Sequence, residues 1–504
     1  MFVAAPVLFN AIALLPEVGT RVASINDDAF HWAFISRGVD AIEHGENVLE
    51  FWVPQMGLGF PQFLYYQHLP HVSVILLYEA LFRSVDAYTL FNVVRYALLA
   101  GLPVTVFWAL RRMDLSPMSA AVGAAASSVL STPYLYGFDY NSYLWRGFGM
   151  YTQLWATHLS FVTLACVYRL IQRGTGHVAA ILTLSALALS HILYAYMAII
   201  TMGVVLLVGI SRANALARAA RLAIVGTATA VITSYMWIPT IQSAGLYLDF
   251  SPYLERWKYD SFGAARVLEY FAKGQLFDEG RPGVLSALVV AGLLAAAALR
   301  TPAAITAIAL FATWLVLFFG RPTLGPLAAL FPLNDALYFH RFIGGVHLAA
   351  IVLIGIAGGY ALDRARGTPA RVAVSVLLIA LLLPAFAERA SYYATQTGWM
   401  RTTADAIDAD ADLRLVLTTL SALPPGRVFA GKNDDWGPQL NFGVPFRSTQ
   451  VRHMLTFTGI PEASIPYSGP SLNADLLYDF DERRAELYDL FDARYVIAPT
   501  GRAM

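Results

Sequence analysis

"SINDDAFHWAFISRGVDAIEHG", residues 24–45, is the first polar stretch of a chain otherwise dominated by apolar runs. It follows a short hydrophobic opening and sets Asp27 and Asp28 side by side where the chain first leaves that segment. Asn26 suits an N-cap, and two aspartates in a first turn complement the positive end of a helix dipole. Phe30, Ala33, Phe34, Ala41 and Ile42 then approximate one apolar stripe, as on a helix lying in a membrane interface. Capping alone explains an acidic helix start. A carboxylate pair at a membrane boundary also meets both lipid-borne and water-borne reactants.

The rest of the chain supplies the membrane. Of 504 residues, 57% are hydrophobic and 13% charged, and the mean hydropathy is +0.56. That balance reads as a polytopic membrane protein. The formal net charge is zero, so nothing invites nucleic acid. Lysine is nearly absent and arginine carries most of the positive charge. The lone cysteine, Cys166, rules out a disulfide within the chain and a cysteine-based metal site.

Segments long enough for roughly 30 Å of hydrocarbon fall near 2–16, 88–110, 117–136, 150–171, 177–194, 195–211, 221–241, 283–299, 302–319, 338–361 and 370–388. The first is read as an uncleaved span. The run 177–210 is too long for one ordinary helix and divides near His191–Tyr196. Arginines recur at every second connection: Arg111 and Arg112, Arg169 and Arg173, Arg212 to Arg221, Arg300, and Arg364 to Arg371. Placing these inside makes loops 17–87, 137–149, 242–282 and 320–337 external, with the C-terminal tail. The segment 70–83 is then a non-spanning helix, because counting it as a span inverts the arginine pattern.

After Arg389 the composition shifts to acidic "TADAIDADADLRL", turn-rich "LPPGRVFAGKNDDWGPQLNFG" and strand-like "ARYVIAP". The expected fold is mainly α: a transmembrane helical bundle of about eleven spans over 1–389, followed by a small external α/β domain over 390–504. The end at Met504 leaves room for a larger domain.

Other residues stand out for chemistry. In "MGLGFPQFLYYQHLPH", 56–71, glycine and proline exclude a regular helix, and Phe63, Tyr65 and Tyr66 suit an interface. His68 and His71 add imidazoles there, as hydrogen-bonding groups or metal ligands. Arg341, beside His340 in "FHRFIGG", opens a span externally; it either snorkels to the interface or grips a phosphate bidentately. Arg146 in "LWRGFG" is a second cation of that kind. His191 sits in apolar sequence, facing a site or bonding another helix.

A long first external loop with an acidic pair, followed by "FPQFLYYQHLP", resembles the GT-C superfamily of integral membrane glycosyltransferases. More narrowly, the chain is similar to a bacterial family of multi-spanning proteins labelled 6-pyruvoyl-tetrahydropterin-synthase-related. "YLWRGFGMYTQLWA" at 143–156, "ALSHILYAYM" at 188–197, "YFHRFIGGVHLAA" at 338–350 and "YDLFDARYVIAP" at 488–499 carry the same likeness. The resemblance implies a bacterial or archaeal cell-membrane enzyme whose donor is a sugar on a polyprenyl phosphate. Its acceptor is a glycan, lipid or protein outside the cytoplasm. An aspartate of the first external loop serves as base, with or without a divalent cation such as Mg or Mn. That role falls on Asp28 or Asp27, with Asp28 as base and Asp27 as metal ligand or orienter, and both as the candidate metal ligands. Arg341 clamps the lipid phosphate, and His340, Arg146, Tyr65, Tyr66, His68 and His191 are candidates around the substrate. A transporter or flippase of lipid-linked sugars, or a non-catalytic scaffold, is the competing class. The transporter predicts charge at the bilayer midplane and paired broken helices, whereas this chain gathers its polar residues in external loops.

Overall fold

The computed structural model describes residues 3–19, 21–22, 27–55, 59–63, 66–242, 255–432, 436–443, 449–463 and 480–501; Asn26 and Tyr65 lie outside them. At its centre runs the helix Ile343–Arg364, buried along nearly its whole length. It packs closely because it is rich in small residues. A methyl group on Gly355 would meet the Ser119 carbonyl at 2.5 Å, and one on Gly359 would collide with the Ser119 hydroxyl. The helix Pro117–Ser127 therefore lies against it almost backbone to backbone, while Trp314 of Pro302–Phe319 covers Gly345. Val284–Leu299, Ala87–Arg112 and Tyr151–Arg173 complete the interior.

Among the described residues six helices are long and apolar enough to cross a membrane, including Ala215–Ile232 and the 43-residue Gly367–Ala409. Ala4–Ala13, His177–Ser190, Ile192–Leu207 and Val284–Leu299 are apolar but shorter. Outward-facing Val178, Leu182, Ile199, Leu294, Val372 and Leu383 are exposed, as lipid-facing side chains are. Local signals fix the ends: Asp86 accepts from the Thr89 amide at 2.9 Å, and Ser116 and Thr301 cap helices that begin with proline. The apolar run after 177 breaks at His191, whose extended backbone (φ −163°, ψ 106°) separates its two helices, as the length of the run predicts. The segment expected over 117–136 is helical only to Ser127; the remainder is an irregular, largely buried connection toward the cavity described below.

Arg173, Arg218 and Arg221 meet at one end of the bundle, where Arg173 pairs with Asp114 and Arg218 donates to the Gln172 side chain at 2.9 Å. The first loop lies at the other end. There Asp28–Glu43 buries Ala33, Phe34, Ile35 and Ala41 against protein, not lipid. Its neighbour Leu69–Ala80 has 12 residues, roughly 18 Å at 1.5 Å each, too short to span. Gly367–Ala409 runs unbroken through the expected boundary at 389 for roughly 65 Å, carrying the chain out of the bundle. The remainder is small and mixed: strands Arg427–Phe429 and Ala493–Val496 pair in parallel, and Asn441–Phe442 pairs with Thr449–Gln450. Helix Val451–Thr458 joins it to the first loop, where Trp32 Nε1 donates to the Phe457 carbonyl at 3.1 Å.

Candidate active site

The adjacent aspartates point in different directions, since successive helical residues differ by about 100°. Asp28 turns inward. Arg95, buried within the apolar helix Ala87–Arg112, donates from Nη1 to Asp28 Oδ2 at 2.5 Å and contacts Glu17 through Nη2 at 3.0 Å. Glu17 in turn accepts from Gln396 of the long helix. This buried network, Glu17–Arg95–Asp28, ties three segments of the chain together.

Asp27 turns outward into a cavity of about 650 Å³. Its amide donates to the Phe148 carbonyl at 3.2 Å, and its carbonyl accepts from the His31 amide, so the backbone is fixed. Among the described residues nothing donates a hydrogen bond to its carboxylate. The surrounding protein, against the pull of Arg341 and Lys258, pushes the carboxyl up to about 6; the negative charge of Asp28 adds to the rise. Water from the cavity still reaches it, so it titrates and is not held permanently neutral.

Arg341 and Lys258 face Asp27 across this space. Arg341 sits in the short 3-10 turn Phe339–Phe342 at the entrance to the central helix. One edge of its guanidinium is held by Gln153 Oε1 at 3.0 Å and Met150 Sδ at 3.3 Å, and its face lies over Tyr136 at 5.0 Å. Nη2 makes no hydrogen bond among the described residues, leaving the fork half free. Lys258 lies 5.5 Å from the Tyr136 and Trp257 rings and is fixed from behind, its carbonyl engaging His340 Nδ1. Ile192, Leu193 and Tyr196 give one wall an apolar surface.

Of the expected candidates, Asp27, Tyr66, His191, His340 and Arg341 converge on the cavity. His68 is buried to one side, accepting from or donating to the Tyr235 hydroxyl at 2.7 Å, and burial lowers it to about 4. Arg146 is sandwiched between Tyr392 and Trp399 at 4.4 and 4.2 Å, away from the lining. Tyr65 lies outside the described residues. The cavity also holds residues that sequence reasoning passed over: Lys258, Tyr136 and His31. Burial and Arg95 lower His31 to about 3, and it shares a 3.0 Å hydrogen bond with His71; it is a neutral donor or acceptor, not a cation.

Of the two expected metal ligands, Asp27 faces the cavity and Asp28 does not. Asp28 is committed to Arg95, and among the described residues no group of three His, Cys, Asp or Glu side chains could hold a metal ion. Positive charge facing Asp27 comes from Arg341 and Lys258.

No known family profile matches the chain, and no curated protein matches its sequence. The fold does match. The oligosaccharyltransferase AglB of Archaeoglobus fulgidus, solved with an inhibitory peptide and a dolichol-phosphate, superposes with a TM-score of 0.55 at 12% identity, covering 97% of this chain and 69% of that one. ArnT of Cupriavidus metallidurans bound to undecaprenyl phosphate gives 0.51 at 13% identity, over 94% and 87%. The mycobacterial arabinofuranosyltransferase AftD gives 0.52 at 16%, over 88% of this chain and 32% of its own. The narrower likeness to the 6-pyruvoyl-tetrahydropterin-synthase-related family rests on the quoted residues alone. The chain has the same fold as AglB, ArnT and AftD.

Proposed function

We propose that the protein is a membrane glycosyltransferase that moves a sugar from a polyprenyl-phosphate donor to an acceptor outside the cytoplasm, with Asp27 as the base. The observation that carries this reading is one carboxylate without a hydrogen-bond donor among the described residues, opposite two cations, in a cavity with an apolar flank. Donor tail, phosphate and reacting hydroxyl each have a matching surface. The tail lies along Ile192, Leu193 and Tyr196, at the end of the bundle from which the first loop emerges. Arg341 and Lys258 hold the phosphate, and the free edge of the guanidinium donates to one of its oxygens.

A phosphate leaves readily once its charge is neutralised, so the cations matter more than a general acid. The acceptor oxygen attacks the anomeric carbon while Asp27 takes its proton. The carbon–oxygen bond to phosphate breaks in the same step, releasing polyprenyl phosphate on Arg341 and Lys258. A single displacement inverts the anomeric centre and forms no sugar–enzyme bond. Asp28 has a structural role here: paired with Arg95, it anchors the helix that presents Asp27. The cavity, the first loop and the small C-terminal domain would share the extracytoplasmic side.

The test is transfer by the purified chain in nanodiscs from radiolabelled polyprenyl-phosphate sugars to cell-envelope glycan fractions. Label appearing in the glycan, with the anomeric configuration inverted, supports the reading. Movement of intact donor across sealed proteoliposomes without transfer would overturn it in favour of a flippase.

A further inference from the structure

Two imidazoles beside the proposed base take no part in the transfer step. The Asp27 carbonyl accepts from the His31 amide at 3.0 Å, and both residues line the cavity. Residues four apart along a helix face the same way, with Cβ atoms about 5–6 Å apart. Nδ1 of His31 shares a 3.0 Å hydrogen bond with Nε2 of His71, from the helix Leu69–Ala80. The two nitrogens of an imidazole diverge, so Nε2 of His31 points away from His71. It makes no hydrogen bond among the described residues.

Neither ring carries a charge. Burial and Arg95 lower His31 to about 3, and burial holds His71 well below the ordinary range. A neutral imidazole has one N–H and one lone pair, and the bond made at one nitrogen sets the role of the other. His71 is fully buried among the rings of Phe34, Phe63, Tyr66 and Tyr151. The backbone at Gln67 favours a proton on it. With Nε2 turned to His31, that proton sits on Nδ1. His71 Nε2 therefore accepts, His31 Nδ1 donates, and His31 Nε2 is left as a lone pair.

We propose that His31 binds a sugar hydroxyl, which donates to Nε2 beside Asp27, and that His71 is the positioning residue that keeps this nitrogen an acceptor. The other groups brought to the cavity do not suit a neutral lone pair. Phosphate oxygens have no proton to give it and belong with Arg341 and Lys258. A prenyl tail has no polar hydrogen, and an ammonium group is repelled by the same two cations. A sugar hydroxyl donates without charge. Asp27 takes the proton of the reacting hydroxyl, whereas His31, which resists protonation down to about 3, holds a hydroxyl without removing its proton. That hydroxyl belongs to the donor sugar or to a glycan acceptor, one chemistry with two sources that kinetics separates. The inference rests on the transferase reading.

The test is transfer kinetics on the full chain in nanodiscs. The donors are radiolabelled undecaprenyl-phosphate mannose, glucose, galactose and arabinofuranose, and the acceptor is cell-envelope glycan. His31→Phe keeps a ring and removes both nitrogens, so it should raise KM for one substrate about tenfold. The donor is affected if the hydroxyl is on its sugar, the glycan if it is on the acceptor; kcat should stay within about threefold. His31→Gln places an amide oxygen near the Nε2 position and should restore most of the loss. His71→Phe should raise the same KM by less. Undecaprenyl phosphate, which has no sugar, should bind every variant as it binds the wild type. Nitrogen-15 NMR of the wild type should show His31 Nε2 unprotonated and shifting when that substrate is added, a readout independent of how well the variants fold. Unchanged KM for both substrates in His31→Phe, equal loss of undecaprenyl phosphate binding, or a protonated Nε2 overturns the inference and leaves the transferase standing. A wild-type chain that transfers from none of the donors overturns the transferase reading, and this inference with it.

Discussion

Asp27 and Asp28 share a sequence context, a helix start and a loop, yet the fold gives them two different surroundings. Asp28 is packed against Arg95 and Glu17, where its charge is paired and water is excluded. Asp27 looks onto a wet cavity with cations at a distance and no hydrogen-bond donor on its carboxylate among the described residues. Burial raises the Asp28 carboxyl as well, but Arg95 holds it inside the protein, where no acceptor in the cavity can reach it. A carboxylate left open, and raised by its surroundings toward neutrality, is suited to take a proton. Paired acids in sequence need not be paired in chemistry.

The largest expected effect is on Asp27. Asp27→Asn keeps shape and removes the base, so transfer should fall about 100- to 10,000-fold, the usual worth of general-base help. Donor binding and folding should persist, checked by undecaprenyl phosphate binding and by the melting profile in detergent. Arg95→Ala attacks the other side of the comparison. It removes the cation shared by two buried acids, Glu17 and Asp28, and breaking a buried pair in this way costs about 3–5 kcal/mol. Thermal unfolding should show it, and Glu17→Gln in the same chain should recover part of the loss. Unchanged stability in Arg95→Ala would mean the network does not anchor the loop. Arg341→Ala should leave the fold intact and, by removing a cation that lowers the Asp27 carboxyl, move the rising limb of the pH profile to higher pH. A lost charged hydrogen bond of about 1.5–3 kcal/mol predicts donor affinity weakened roughly ten- to a hundredfold. Arg341→Lys should fall between, since an ammonium lacks the planar fork.

Much of this was legible in the sequence, and the misses have physical reasons. Apolar length located the helices, and the break at His191 followed from a run too long for one of them. The acidic pair lies at the cavity wall, with Asp27 lining it, but residue type cannot say which of two neighbours faces inward when one helical step turns by about 100°. Arg95 carried a readable signal: an arginine deep in an apolar helix demands a partner, and the acids of the first loop were the available ones. Lys258 carried another, as one of few lysines in an arginine-rich chain and within an external loop. Its meeting with Arg341 brings together segments some eighty residues apart, which no local pattern encodes. Arg146 shows the converse: a basic residue in a suggestive motif finds its place between two rings.

The pH–rate profile of sugar transfer in the wild type, Asp27→Asn and Asp28→Asn tests the division of roles most directly. A base must be deprotonated to act, so the wild-type rate should rise about tenfold per pH unit at low pH. It should level off above about 6, where the Asp27 carboxyl loses its proton. In Asp28→Asn the rising limb should persist and move to lower pH, because the negative charge that helps raise Asp27 is gone. In Asp27→Asn the residual rate should be flat across that range. A limb that survives in Asp27→Asn and vanishes in Asp28→Asn would make Asp28 the base and contradict the account.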